Sequence, residues 1–101
     1  MTPDVPVIED RPDRNRYELA VGDQVAFLEY RRRDDRMILV HVEVPESLRG
    51  SGLGSVLARH AFESARATAT PVVVRCPYVT AWLRRHPEYN DLVVSRVSGA
   101  S

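Results

Sequence analysis

The hydrophobic period of this chain changes once, and the change falls on a glycine-rich stretch. From Tyr17 to Val44 apolar residues recur at roughly every second position, the repeat of strands with one buried face. From Gly52 onward they recur as Leu53, Leu57, Ala58, Ala61, Phe62 and Ala65, one stripe at helical spacing that runs to about Ala67. Between the two lies Arg49-Gly50-Ser51-Gly52-Leu53-Gly54. A chain that passes from strands into a long amphipathic helix through three glycines points to an α+β architecture, with the helix packed on the sheet just formed.

Tyr17 to Val21 alternates, Gly22-Asp23 supplies a two-residue turn that wants positive φ, and Gln24 to Tyr30 alternates again, which predicts a hairpin. After the charged turn Arg31 to Arg36, Met37 to Val44 is a β-branched third strand that stops at Pro45. These three strands make a meander. Val72-Val73-Val74 has the continuous apolar pattern of a buried strand, expected to return parallel to the third. Cys76-Pro77 opens a second helix, Tyr78 to about Arg85, that should end at His86-Pro87 because the residue before proline avoids helical angles. Leu92-Val93-Val94 reads as a final edge strand. The order is therefore β-β-β-α-β-α(-β): a mixed, mostly antiparallel sheet carrying helices, occupying residues 16–94. Residues 1–15, with three prolines among charges, read as an extended or mobile arm, and residues 95–101 as a loose tail.

With 101 residues there is room for one compact domain. No apolar run approaches a bilayer span and no basic-then-apolar leader is present, so neither a membrane partner nor export is expected, and a cytoplasmic location follows by default. The single cysteine, Cys76, has no partner for an internal disulfide. Fourteen acidic residues balance fourteen basic ones, so no nucleic-acid partner is expected. All the basic residues are arginine; without lysine a Walker-type phosphate loop is excluded, as is self-acylation on a lysine side chain.

Glycines at a helix entrance let the backbone approach a ligand closely, and the unpaired N–H groups of the first helical turn attract an anion. A pyrophosphate suits such a loop. A dinucleotide fingerprint starting at Gly50 would need glycine or alanine where Ser55 stands. The alternative is a glycine-rich helix entrance with no ligand at all.

The spacing Arg49-x-x-Gly52-x-Gly54, after a strand ending in Val44-Pro45, resembles motif A of the Gcn5-related N-acetyltransferases. Together with His41 to Glu46, Cys76-Pro77-Tyr78 and Trp82 to Tyr89 it looks like the short YjdJ-type subfamily of N-acetyltransferase-like proteins. The resemblance implies that the loop holds the pyrophosphate of acetyl-coenzyme A, through Arg49, Gly50, Ser51, Gly52, Leu53, Gly54 and Ser55. It also implies that the pantetheine arm pairs with the strand containing Val42 and Val44, between Met37 to Val44 and Val72 to Arg75. Full-length members carry two helices between their first two strands that wall the acceptor site, whereas this sequence has only Gly22-Asp23 there. The acceptor side is expected to be open, suited to an exposed or macromolecular amine, or to a reduced catalytic role.

His41 and Glu43 lie two apart on one strand, so they share a face with Cα atoms about 6.5–7 Å apart. Strict alternation adds Leu39 to that face and sets Val40, Val42 and Val44 on the other. Amine acylation needs a base, and an imidazole, with an ordinary pKa of about 6.5, suits that task without adjustment. His41 is the expected base, with Glu43 as its partner or as an acceptor-orienting group; a plain polar strand face is the alternative. Cys76 admits three readings: a buried structural thiol, a nucleophile forming an acyl-cysteine, or a mixed-disulfide partner of coenzyme A. The resemblance loosely suggests Tyr78 as the acid that protonates a departing thiolate, against a packing role. His60 reads as surface or packing, His86 as a helix C-terminal residue, and Arg31 to Arg33 or Arg84-Arg85 as solvated charge, one of which could reach the 3′-phosphate of the cofactor. Two functions follow: a minimal acetyl-coenzyme A-dependent N-acetyltransferase, or a non-catalytic module that binds coenzyme A or its acyl form.

Overall fold

The alternating segments pair as neighbours, but the sheet begins earlier than the alternation does. In the computed structural model, which describes residues 7–97, β1 (Ile8–Arg11) precedes β2 (Arg16–Val21), β3 (Gln24–Arg33) and β4 (Arg36–Glu43). β1 runs antiparallel to β2 with Ile8 opposite Leu19 and Arg11 opposite Arg16, so part of the expected arm belongs to the sheet. Four residues with one core-facing apolar side chain, Ile8, are too short to display a period. The link between the first two strands is accordingly Pro12 to Asn15, while Gly22-Asp23 joins the second to the third. Both links are too short to hold a helix. Residues 1–6 of the expected arm and 98–101 of the expected tail lie outside the described residues.

Beyond β4 come a single 3-10 turn (Glu46–Leu48), α1 (Leu53–Ala67), β5 (Val72–Val74), α2 (Pro77–Arg85), a second 3-10 segment (Pro87–Leu92) and β6 (Val93–Arg96). The sheet order is β1-β2-β3-β4-β5-β6, antiparallel as far as β4 and parallel from β4 to β6. This is the mixed α+β sheet expected, with β6 extending through Ser95 and Arg96, where a loose tail was expected. α1 ends within a residue of the end of its apolar stripe, and α2 ends before His86-Pro87, where the proline excludes helical angles for its predecessor.

Helices α1 and α2 are crossovers between adjacent parallel strands, which places both on one face of the sheet. There Tyr17, Leu19, Ala26, Leu28, Tyr30, Met37 and Leu39 meet Leu57, Ala61 and Phe62 of α1 and Val79, Trp82 and Leu83 of α2 in one buried cluster. Phe62 is fully buried and stacks on Trp82 and Tyr89 at centroid distances of 5.9 and 5.3 Å, tying α1, α2 and the Pro87–Leu92 segment together. Truncating Phe62 to alanine would cost about 3–5 kcal/mol by the usual core-cavity scale. The opposite face carries Arg16, Glu18, Phe27, Glu29, His41 and Glu43, and no helix covers it among the described residues. Glu18 is nevertheless only 8% exposed there, enclosed by Arg11, Arg14 and Arg16.

Candidate functional site

β4 and β5 pair only over Met37 to Leu39 against Val72 to Val74, and their last hydrogen bond runs from the Arg75 amide to the Leu39 carbonyl at 2.9 Å. Two local features end the ladder. Pro77 has no N–H with which to continue it, and the chain turns there into α2. On the other side of β4 the pairing with β3 steps from Glu29↔His41 to Tyr30↔Leu39, which leaves Val40 as an extra residue, a β-bulge. β4 therefore continues past Leu39 with its β5-side edge unpaired.

The bulge also corrects the expected faces of this strand. Leu39 is fully buried in the core, and after the extra residue it is Val42 and Val44 that turn toward the core. His41 and Glu43 share a face as expected, but it is the helix-free face, opposite Leu39. Strict alternation without a bulge would have kept Leu39 with them.

Facing the open edge is the N-terminus of α1. Gly50 and Gly52 hold φ of 87° and 86°, in the region open to glycine, and Gly52 is the N-cap. No side chain caps the helix and its first turn holds no acidic residue. Among the described residues the amides of Leu53, Gly54 and Ser55, and of Gly50 and Gly52 before them, make no backbone hydrogen bond; the first helical bond is from Val56 to Gly52. A cluster of unpaired N–H groups at the positive end of a 15-residue helix is chemically an anion site. Ser51 does not contribute. Its amide and hydroxyl both turn back to the Leu48 carbonyl. Arg49 donates from Nε to the Val44 carbonyl at 3.2 Å, which fixes its guanidinium beside the end of β4.

The far wall is α2. Tyr78, Trp82, Arg85 and His86 stand at helical spacing on one side of it, and with His41 to Val44, Leu48 to Gly50 and Gly52 to Ser55 they enclose a cavity of about 650 Å³. Tyr78 lies so close to α1 that a Cβ on Gly54 would sit 2.7 Å from its hydroxyl and 2.9 Å from Cζ. Gly54 is thus small to admit Tyr78, whatever it does for a ligand. Burial pushes the Tyr78 phenol above its ordinary pKa, and the Arg85 charge pulls it part of the way back. Trp82 donates from Nε1 to the Ser55 hydroxyl at 2.7 Å, and His86 stacks on Trp82 at 4.0 Å while its Nδ1 lies 3.3 Å from Arg59.

His41 Nε2 and Glu43 Oε1 are 2.9 Å apart, with both side chains about half exposed. If Nε2 carries the hydrogen donated to Glu43, Nδ1 is the nitrogen left with a free lone pair. The cavity thus gathers His41, Val42, Glu43, Val44, Arg49, Gly50, Gly52, Leu53, Gly54, Ser55 and Tyr78 of the residues expected at the site. Ser51 and Cys76 are not in its lining. Cys76 is only 3% exposed within the core, a position that fits the structural-thiol reading and gives a nucleophile no open path. Sequence reasoning left Leu48, Trp82 and His86 out of the site and offered Arg85 only as one of several arginines that could reach a phosphate of the cofactor. The spacing 78, 82, 85, 86 was the signal that they share one face of a helix.

Residues 16–92 match the profile of a family described as GCN5-related N-acetyl-transferase. The fold is also that of a GCN5-like protein from Staphylococcus aureus. Its NMR solution structure agrees with a TM-score of 0.69 at 21% identity, over 94% of this chain and 90% of that one. At that identity the likeness concerns the fold alone. The profile match is a match of sequence, and it spans β2 through the Pro87–Leu92 segment, every residue that lines the cavity included. The chain therefore belongs to the GCN5-related N-acetyltransferase family.

Proposed function

We propose that this chain binds acetyl-coenzyme A in the cavity between β4, α1 and α2 and transfers the acetyl group to an amine. The observation that carries the reading is the juxtaposition, in one cavity, of an unpaired β4 edge and an uncapped helix N-terminus. In this reading the amides of Gly50 and of Gly52 to Ser55 hold the pyrophosphate, Arg49 adds positive charge, and the edge at Val42 and Val44 receives the pantetheine amides. Acetyl-coenzyme A, when bound, supplies the acyl group as a thioester. His41 takes the proton from the incoming amine on Nδ1, and Glu43 holds the ring in orientation through Nε2 and stabilises the imidazolium. Tyr78, with its phenol raised by burial, remains protonated and available as a donor to the leaving sulfur.

His41 and Glu43 stand on the helix-free face, reached without entering the core, so the acceptor is an exposed amine such as a side chain of a macromolecule. The same exposure favours a second reading, a module that binds coenzyme A without turnover. Radiolabelled acetyl-coenzyme A offered with a panel of peptide and small amines separates the two. Transfer that falls about 10²- to 10⁴-fold in His41→Ala, with coenzyme A affinity unchanged, is the result expected of a general base. No transfer to any amine, with coenzyme A still bound, would leave the binding module.

A further inference from the structure

The helix-free face around His41 holds a carboxylate that the proposed reaction does not use. His41 and Glu43 are bonded to each other, and the residue directly opposite His41 across the β3–β4 ladder is Glu29. Side chains so paired have Cβ atoms about 4.5–5.5 Å apart. Only one oxygen of Glu29 is engaged: Arg31 donates from Nη2 to Oε2 at 3.1 Å, and Oε1 has no hydrogen-bond partner among the described residues. Arg16, opposite Glu29 on β2, is committed elsewhere. Its Nε bonds Glu18 at 2.8 Å and its guanidinium lies 4.1 Å over the Phe27 ring. Phe27 in turn meets His41 at a centroid distance of 6.3 Å. The imidazole thus has Glu43 on its own strand, and Phe27 and Glu29 across the ladder.

Glu29 does not stand where the reacting amine would. The proposed thioester lies in the gap on the β5 side of β4, whereas Glu29 is on β3, on the other side of His41. Neighbouring strands are about 4.8 Å apart, which puts Glu29 about 5–10 Å from the gap. We infer that Glu29 is a specificity-determining residue that takes a second cationic group of the acceptor, about 5–10 Å from the amine that is acetylated, and so selects dicationic acceptors. The inference rests on the proposed acetyl transfer at His41. Arg31 already shows one guanidinium on this carboxylate, and the pair is exposed, with side chains 61% and 29% accessible. Such pairs hold by only about 0–1 kcal/mol, so an acceptor cation can take the free oxygen or displace Arg31. Two sources offer the chemistry: a short alkyl diamine, or an extended peptide with a basic residue two positions from its lysine, where Cα atoms are about 6.5–7 Å apart.

The test is steady-state acetyl transfer by the full chain to two couples of acceptors. One couple is 1,5-diaminopentane and pentylamine; the other is a pair of peptides that differ only in arginine or glutamine two residues from a single lysine. The wild type is expected to prefer the dicationic member of one couple by about 3- to 10-fold, carried by KM, a size between that of an exposed ion pair and of a hydrogen bond to a charged group. The couple that shows the preference identifies the source. Glu29→Gln should abolish it, Glu29→Asp should keep part of it, and Arg31→Ala should strengthen it, because the carboxylate loses its competitor. A Glu29–Arg31 pair with a merely structural role would instead make Glu29→Gln and Arg31→Ala change all four acceptors alike. That result overturns the inference, as does a wild type without preference in either couple or a preference that survives Glu29→Gln; each of these spares the acetyl-transfer reading. Transfer to none of the four acceptors overturns both.

Discussion

Replacing Gly52 with aspartate separates the stability of the α1 entrance from its capacity to hold an anion. Gly52 has φ 86° and ψ 9°, and a Cβ built on it meets nothing within 4 Å, so the substitution introduces backbone strain without a clash. A left-handed conformation costs an L-residue about 1–2 kcal/mol. A carboxylate at a helix N-terminus returns about 0.3–1 kcal/mol. Net stability should therefore fall by only about 1 kcal/mol, read as a small shift in the urea midpoint. Binding should respond far more. A carboxylate about 5 Å from a pyrophosphate of charge about −2 is repelled by about 1.7 kcal/mol at a dielectric of about 80, and by twice that at about 40. The expected loss of coenzyme A affinity is thus about 15-fold to a few hundredfold. Gly52→Asn keeps the shape without the charge and should bind clearly tighter than the aspartate variant, with the gap between them narrowing as salt is raised. Coenzyme A affinity of Gly52→Asp equal to that of the wild type would refute the anion assignment.

Further outcomes follow from single contacts. In Gly54→Ala the new methyl occupies the place of the Tyr78 hydroxyl, so the half-exposed ring should swing outward. Its phenol pKa should then fall toward the ordinary value in a spectrophotometric titration, and an unchanged Tyr78 titration would contradict the contact. Trp82→Phe retains the stack on Phe62 but loses the 2.7 Å bond to Ser55, a loss of about 1 kcal/mol in urea unfolding. Burial alone would raise the Glu18 carboxyl, but the hydrogen bonds and charges of Arg14 and Arg16 outweigh it and hold the group below the usual carboxylate range. A carboxyl depressed in the folded state stabilises it above the unfolded pKa of about 4.3, and that contribution is lost as pH falls through the folded value. Acid unfolding should therefore flatten below about pH 4 in Glu18→Gln relative to the wild type.

Much of this architecture is written in periods that a sequence displays openly. The stripe from Leu53 to Ala65 is long enough to specify α1, and Gly52 marks where it starts, because a helix entrance in the left-handed region favours glycine. β1 was illegible: four residues with a single buried apolar side chain carry no period, and the strand exists because β2 offers it a partner. The bulge at Val40 left no mark either, since valine fits an extra residue as readily as a paired one. That one residue decides that His41 faces away from Leu39. Cys76 shows a related limit. Its place at the end of a strand was readable, but the packing of α2 that buries it depends on contacts made by Val79, Trp82 and Leu83 with residues far away in the chain. Likewise the sequence leaves Arg85 as one of several arginines that could reach a cofactor, and only α2 laid beside α1 joins it to the cavity.

The proposed function depends most on coenzyme A occupying the space between β4, α1 and α2. Backbone amide NMR of the chain during a coenzyme A titration tests that directly. The largest shifts are predicted at Gly50 and from Gly52 to Ser55, with a second group from His41 to Val44 and a third at Arg85 and His86. Shifts concentrated instead at Arg32 to Arg36 and Thr68 to Pro71, which line a separate cavity of about 620 Å³ at the opposite pole, would contradict it, as would a titration that moves no amide at all.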